Sequence, residues 1–177
     1  QDGLAGEWIR GIYFDGQGGV WVGTPEGLSR FDGRAWRSYT IENGLSNNNV
    51  IDMGLDEQGQ IWVASSGGIS RFDGKTWLSY PLVGPVSNAI TALSFDKTGH
   101  LWIGAKRGLS EFDGQTWKNH IPEGSPGYRQ INALAADEAG KVWVGAEDKF
   151  YSSAYGIEGR YDGQVLWAKP QGQDWIT

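Results

Sequence analysis

Cysteine is absent from the 177 residues, and histidine occurs only twice, at His100 and His120. Without thiols the chain can form neither a disulfide framework nor a thiolate metal site, and the redox compartment stays open because an oxidising one does not require disulfides. Basic charge is also scarce: 15 Lys and Arg stand against 21 Asp and Glu, a formal net charge of −6. A nucleic-acid groove leaves a basic footprint, so that partner class is excluded. No apolar run reaches the ~18 residues that a helical membrane span needs, so no span or stop-transfer segment is expected. The chain opens at Gln1 without Met, which reads as a processed or trimmed N-terminus that hides any signal peptide.

Tryptophan and glycine are abundant, with 10 and 28 residues. The tryptophans are periodic: Trp21, Trp62, Trp102 and Trp143 recur every 40 or 41 residues. Trp36, Trp77, Trp117 and Trp167 follow in step, the last after a longer interval. A period of this length marks a repeat architecture.

The second copy is the clearest. It predicts a first strand over Val50–Leu55, a turn at Asp56 to Gly59, a second strand over 60–64, a third over Gly68–Phe72 and a fourth over 75–80. The Asp73-Gly74 pair signals a two-residue hairpin of type I′. Four antiparallel strands per repeat form a propeller blade. The expected fold is therefore all-β, a β-propeller of four four-stranded antiparallel blades in a partial ring or as half of a larger one. Blades are expected over about 7–46, 47–87, 88–128 and 129–170 of a single domain, with 171–177 beginning a further strand.

Two features break the regularity. Blade four holds nine residues between Ala146 and Gly156, from Glu147 to Tyr155, where blade three holds two between Ala105 and Gly108. The final Asp174-Trp175-Ile176-Thr177 resembles Glu7-Trp8-Ile9-Arg10, where blade one begins. Blades bury their faces only against neighbours. Four blades closing on themselves, two chains sharing an eight-bladed ring, or removal of further blades are the alternatives, and removal or association is favoured.

The recurring residues read as scaffold. Burying one Trp removes roughly 150–250 Å² from water, an upper estimate of about 4–6 kcal/mol at about 25 cal/mol/Å². Asp15, Asp56, Asp96 and Asp137, like Asp32, Asp73, Asp113 and Asp162, stand one per turn and read as turn-formers, because a calcium loop crowds several oxygen ligands into one segment. Catalysis finds no nucleophile elbow, zinc helix or phosphate loop, and the antiparallel geometry does not obviously bring His100 and His120 together. No enzyme, metal or cofactor is expected.

A binding surface has more support. In a blade, the connections from strand two to three and from strand four to the next blade emerge on one edge, where the sequence repeats least. Lys106, Arg107, Tyr128, Arg129, Tyr151 and Tyr155 belong to blades three and four on that edge, and their aromatic faces and forked donors suit a polar, ring-shaped or acidic ligand. The competing reading is that they are solvated loop residues. A smaller candidate is the ring centre, where Arg10, Ile51, Thr91 and Asn132 occupy equivalent positions.

The run Asn43-Gly44-Leu45-Ser46-Asn47-Asn48, continuing through Val50, Asp56, Gly59 and Ile61-Trp62-Val63 to Gly68-Ile69-Ser70-Arg71-Phe72-Asp73-Gly74, resembles the two-component regulator propeller repeat. The resemblance extends from Trp8 to Lys169. It implies a β-propeller of the kind found in periplasmic sensor parts of hybrid two-component systems, where carbohydrate sensing is the best-known role. A periplasmic or extracellular location follows from the same resemblance. The expected function is a non-catalytic recognition or sensor module, with a glycan, another polar small molecule or a protein as partner, or with self-association through open blade edges. One alternative is a propeller lyase or hydrolase of the streptogramin-lyase type, which needs clustered His and Glu with a divalent metal; another is a purely structural assembly module.

Overall fold

The computed structural model describes residues 3–80, 90–106, 108–120, 129–136, 142–148, 156–161 and 166–169, excepting the side chains of 129, 146–148, 156–161 and 166–169. Sixteen strands appear in chain order among the described residues. β1 (Gly11–Phe14), β2 (Val20–Thr24), β3 (Gly27–Phe31) and β4 (Trp36–Tyr39) precede a 3₁₀ turn at Ile41–Asn43. Next come β5 (Val50–Leu55), β6 (Ile61–Ser65), β7 (Gly68–Phe72) and β8 (Trp77–Tyr80). β9 (Ile90–Phe95), β10 (Leu101–Ala105), β11 (Gly108–Phe112) and β12 (Trp117–His120) form the third group. β13 (Arg129–Ala136), β14 (Val142–Asp148), β15 (Gly156–Tyr161) and β16 (Leu166–Lys169) form the fourth. Each group is one four-stranded antiparallel sheet with its strands in sequence order, which is the blade of a β-propeller.

The chain divides into two compact units, Gln1–Leu82 and Val83–Thr177, each holding two blades. In the first, Trp21, Leu28 and Tyr39 of blade one pack with Leu45, Val50, Met53, Ile61 and Val63, and Phe72 and Trp77 of blade two complete the cluster. Trp21 meets Phe72 and Trp77 edge-on, at centroid separations of 6.0 and 6.3 Å. In the second unit Trp102 and Leu109 pack with Ile131, Val142, Val144 and Leu134. The blades approach closely where a side chain is missing: a Cβ on Gly23 would lie 2.6 Å from Val50 Cγ1.

Hydroxyls recurring on the third and fourth strands tie down the segment that leads into each of the first two blades. Ser70 Oγ accepts the Ser46 amide at 2.8 Å, and Ser79 Oγ donates to the Gly44 carbonyl at 2.9 Å. Blade one repeats this with Ser29 on the Ala5 amide and Ser38 on the Gly3 carbonyl. Gly44 sits at φ 107°, a left-handed conformation that suits glycine.

Three details depart from expectation. Phe72 pairs with Trp77, so four residues separate the strands, and the Asp73 amide donates to the Thr76 carbonyl. The turn is thus longer than a two-residue hairpin centred on Asp73-Gly74, because Asp73 Oδ1 takes the Lys75 and Thr76 amides, each at 2.8 Å. In blade four Leu166 stands opposite Tyr161, where Trp36 stands opposite Phe31; Trp167 falls one position later, opposite Arg160. Glu147 and Asp148 of the expected insertion instead lengthen β14, paired with Gln130 and Arg129.

Candidate functional site

The turn between the first and second strands gathers polar groups in each of the first three blades. Asp15, Asp56 and Asp96 all use Oδ1 to accept backbone amides two and four residues on, which holds the turn closed. The expected turn-forming role is what these carboxylates perform. Asp32, Asp73 and Asp113 close the β3–β4 type of turn with Oδ1 on the amides two and three residues on. Asp137 and Asp162 lie outside the described residues.

In blades two and three the second oxygen of the first Asp accepts from the repeated Trp. In blade two Asp56 Oδ2 accepts the Trp62 indole N–H at 2.8 Å, and in blade three Asp96 Oδ2 accepts that of Trp102 at 2.7 Å. Burial pushes the Asp96 carboxyl up, but hydrogen bonds from Thr98, Trp102 and the His100 amide outweigh it and hold it below the usual carboxylate range. Trp21, Trp62 and Trp102 are all buried, as the scaffold reading requires, whereas Trp143 is 39% exposed.

Above each Trp stand two variable positions. Blades one and two carry Arg and Tyr: Arg30 with Tyr39, and Arg71 with Tyr80. Tyr80 stacks on Trp62 at 5.2 Å, with the Arg71 guanidinium 5.3 Å from the same indole. Blade three replaces the pair with Glu111 and His120, and His120 stacks on Trp102 at 5.0 Å. His100 Nδ1 lies 2.6 Å from Glu111 Oε1, and His120 Nε2 lies 2.7 Å from Glu111 Oε2.

The two histidines, expected apart, are therefore brought onto one carboxylate. Register explains it: Leu109 pairs with His120, so Glu111 two positions on shares that face of the hairpin, and Glu111 pairs with Trp102, two residues beyond His100. The signal in the sequence was a charge reversal at the Arg position coupled to a Tyr-to-His change. Burial lowers the His120 pKa, and the hydrogen bond and charge of Glu111 only partly offset this. The two imidazoles engage different oxygens of the carboxylate, and among the described residues no group of three His, Asp or Glu is arranged to hold a metal ion.

Of the loop-edge candidates, Lys106 is exposed at the β10–β11 turn. Arg129 opens β13 opposite Asp148. Arg107, Tyr128, Tyr151 and Tyr155 lie outside the described residues. Of the positions expected at a ring centre, Arg10 and Asn132 are exposed, Ile51 is half-buried, and the Thr91 hydroxyl donates to the Ile131 carbonyl. Among the described residues no helix is long and apolar enough to cross a membrane.

Solved structures with this fold include extracellular domains of two-component systems and lyases. The extracellular domain of the hybrid two-component system BT3049 of B. thetaiotaomicron superposes with a TM-score of 0.73 at 18% identity, over 92% of this chain and 23% of that one. That of BT4673 from the same organism gives 0.69 at 22% identity, over 90% of this chain and 22% of that one. The chain thus spans less than a quarter of either domain. Virginiamycin B lyase of Staphylococcus aureus gives 0.73 at 14% identity, over 90% of this chain and 54% of that one. No curated protein sequence matches the chain. The family described as two component regulator propeller matches residues 3–26, 44–67 and 84–107, one segment in each of the first three repeats.

Proposed function

We propose that this chain is a non-catalytic recognition module of an extracytoplasmic sensor, presenting the variable edge of its blades to a polar small molecule, glycans included, or to a protein. One observation carries the reading. The Asp, Ser and Trp residues that recur are committed to turns, segment ties and packing between blades, so the scaffold leaves variation to the connections. Loops carried on rigid strands are where recognition residues are usually placed. The candidates are Lys106, Arg107, Tyr128, Arg129, Tyr151 and Tyr155. Similarity to extracellular domains of two-component systems supports the sensor setting and the location.

The test is a glycan array probed with the purified chain, followed by calorimetry on any hit with Arg129→Ala and Tyr151→Ala. At least a tenfold loss of affinity in folded variants, about 1.4 kcal/mol, is expected. Unchanged affinity in both variants removes this edge as the site.

A second reading rests on the carboxylate shared by His100 and His120. It brings His and Glu side chains together as the streptogramin type of lyase does, although among the described residues no group of three is arranged to hold a metal ion, and such lyases share the fold. Turnover of virginiamycin B with a divalent metal, abolished by Glu111→Gln, would establish that activity. Absence of turnover in the unmodified chain would remove it.

A further inference from the structure

The face that blade two turns to blade one is repeated on blade one itself. In blade two Leu45, Val50 and Met53 are 5, 1 and 1% exposed, packed with Trp21, Leu28 and Tyr39 of blade one, and Leu55 lies against the same cluster. Aligned on the turn carboxylates Asp15 and Asp56, the blade-one equivalents are Leu4, Ile9, Ile12 and Phe14, apolar at every position. These are 36, 53, 52 and 71% exposed. The other pair of blades uses the same face: Ile131 and Leu134, the equivalents of Val50 and Met53, pack with Trp102 and Leu109 of blade three. An exposed apolar patch of this kind marks an interaction site.

The contact between blades one and two identifies the occupant. There Val50 fits against Gly23, where an added Cβ would lie 2.6 Å from Val50 Cγ1, and Phe72 and Trp77 meet Trp21 edge-on. Blades three and four repeat the fit, since an added Cβ on Gly104 would collide with Ile131 Cγ2. Blade four carries the equivalent pair, Trp143 and Gly145, in a more open setting. Trp143 is 39% exposed, whereas Trp21, Trp62 and Trp102 are 3–5% exposed. The three atoms nearest an added Cβ on Gly145 all belong to Ala133 of the same blade, at 3.5–3.8 Å.

We infer that the exposed face of blade one docks on blade four of a second copy of this chain, with Ile9 against Gly145 and Trp143 edge-on to Phe31 and Trp36, the equivalents of Phe72 and Trp77. Two blade-one faces meeting each other would lack the glycine that admits Ile9. Each copy carries both halves of the contact, so the association is head-to-tail: it closes into a ring if the rotation between copies allows and otherwise continues. No ligand takes part, so it stands or falls independently of the recognition site proposed above.

Light scattering on the purified chain across a dilution series reads the mass directly. At high concentration a mass of at least twice 19.4 kDa is expected, falling to one copy on dilution. Ile9→Glu charges the blade-one face at an exposed site, and Gly145→Val fills the space Ile9 needs while its Cβ meets only ordinary contacts within its own blade. Each variant alone is expected to be monomeric. Mixed in equal amounts they are expected to recover a pair of copies, because each supplies the face the other lacks. Near-UV circular dichroism checks that both variants fold. If Gly145→Val does not, isotope-filtered through-space contacts between Trp143 of a labelled copy and Trp36 of an unlabelled one test the same pairing in the unmodified chain. A single-copy mass at every concentration, an undiminished mass in either folded variant, folded variants that fail to recombine, or absence of the Trp143–Trp36 contacts overturns the proposal.

Discussion

His120 lies nearly flat on Trp102, with ring centroids 5.0 Å apart and planes inclined at 30°, while its Nε2 meets Glu111 Oε2 at 2.7 Å. Blades one and two keep an arginine near the corresponding indole, so the charge there is permanent; in blade three it depends on protonation. Burial favours the neutral imidazole and lowers the His120 pKa below 6.5 despite Glu111.

The sign of the pH dependence follows. Between the ordinary pKa of 6.5 and the lower folded value, the unfolded chain binds the proton and the folded chain does not, so stability falls as pH drops through that window. Urea unfolding at a series of pH values from 7.5 down to about 5, followed by tryptophan fluorescence, should show the decline. His120→Tyr, the residue of blades one and two, should flatten it. A profile identical in the variant would rule out His120 as its source.

Asp113 is expected to titrate far below ordinary carboxylates. The Thr116 and Gln115 amides and the Thr116 hydroxyl bind its charged form and hold the pKa at about 2. Carboxyl ¹³C shifts through an acid titration read this directly. Thr116→Val should raise the midpoint, since it removes the hydroxyl while keeping the amides. Any stability contributed by this charged turn is present above the ordinary carboxylate pKa and is lost as pH falls toward 2.

Ser70→Ala should destabilise the first unit by about 1–3 kcal/mol, because the Ser46 amide loses its acceptor and the Ser46 hydroxyl a donor. Hydrogen exchange at the Ser46 amide is the specific readout. Its protection should fall in Ser70→Ala and persist in Ser79→Ala, which releases the Gly44 carbonyl instead.

Gly104→Ala should cost about 1–3 kcal/mol by overpacking, since the added Cβ would stand 2.8 Å from Ile131 Cβ on the neighbouring blade. Thermal unfolding measures the loss. Gly114→Ala is the contrasting case: nothing lies within 4 Å, but φ is 94°, so any cost there is backbone strain alone.

Much of the scaffold was legible in the repeat. Asp56 and Gly59 marked a turn, and the structure closes it with a hydrogen bond from the Gly59 amide to the Asp56 carbonyl. The alternation at Ile61, Trp62 and Val63 predicted a strand, and Val50–Leu55 and Gly68–Phe72 appear with the expected ends. The loop-edge residues were named from their variability alone. Lys106 is placed on the β10–β11 turn, while most of the others fall outside the described residues. The Glu111 cluster went unseen because His100, Glu111 and His120 are spread over 21 residues and meet only through strand register.

The sequence by itself determined the period, the four-stranded unit and the turn carboxylates, because these depend on interactions between residues close along the chain. Only the tertiary structure decided which partner each repeated side chain takes. Asp15 and Asp56 sit in the same local pattern, yet one binds Arg30 and the other Trp62. Arg30 and Trp62 reach their carboxylates from neighbouring strands, and which side chain arrives there is set by packing rather than by the turn's own residues.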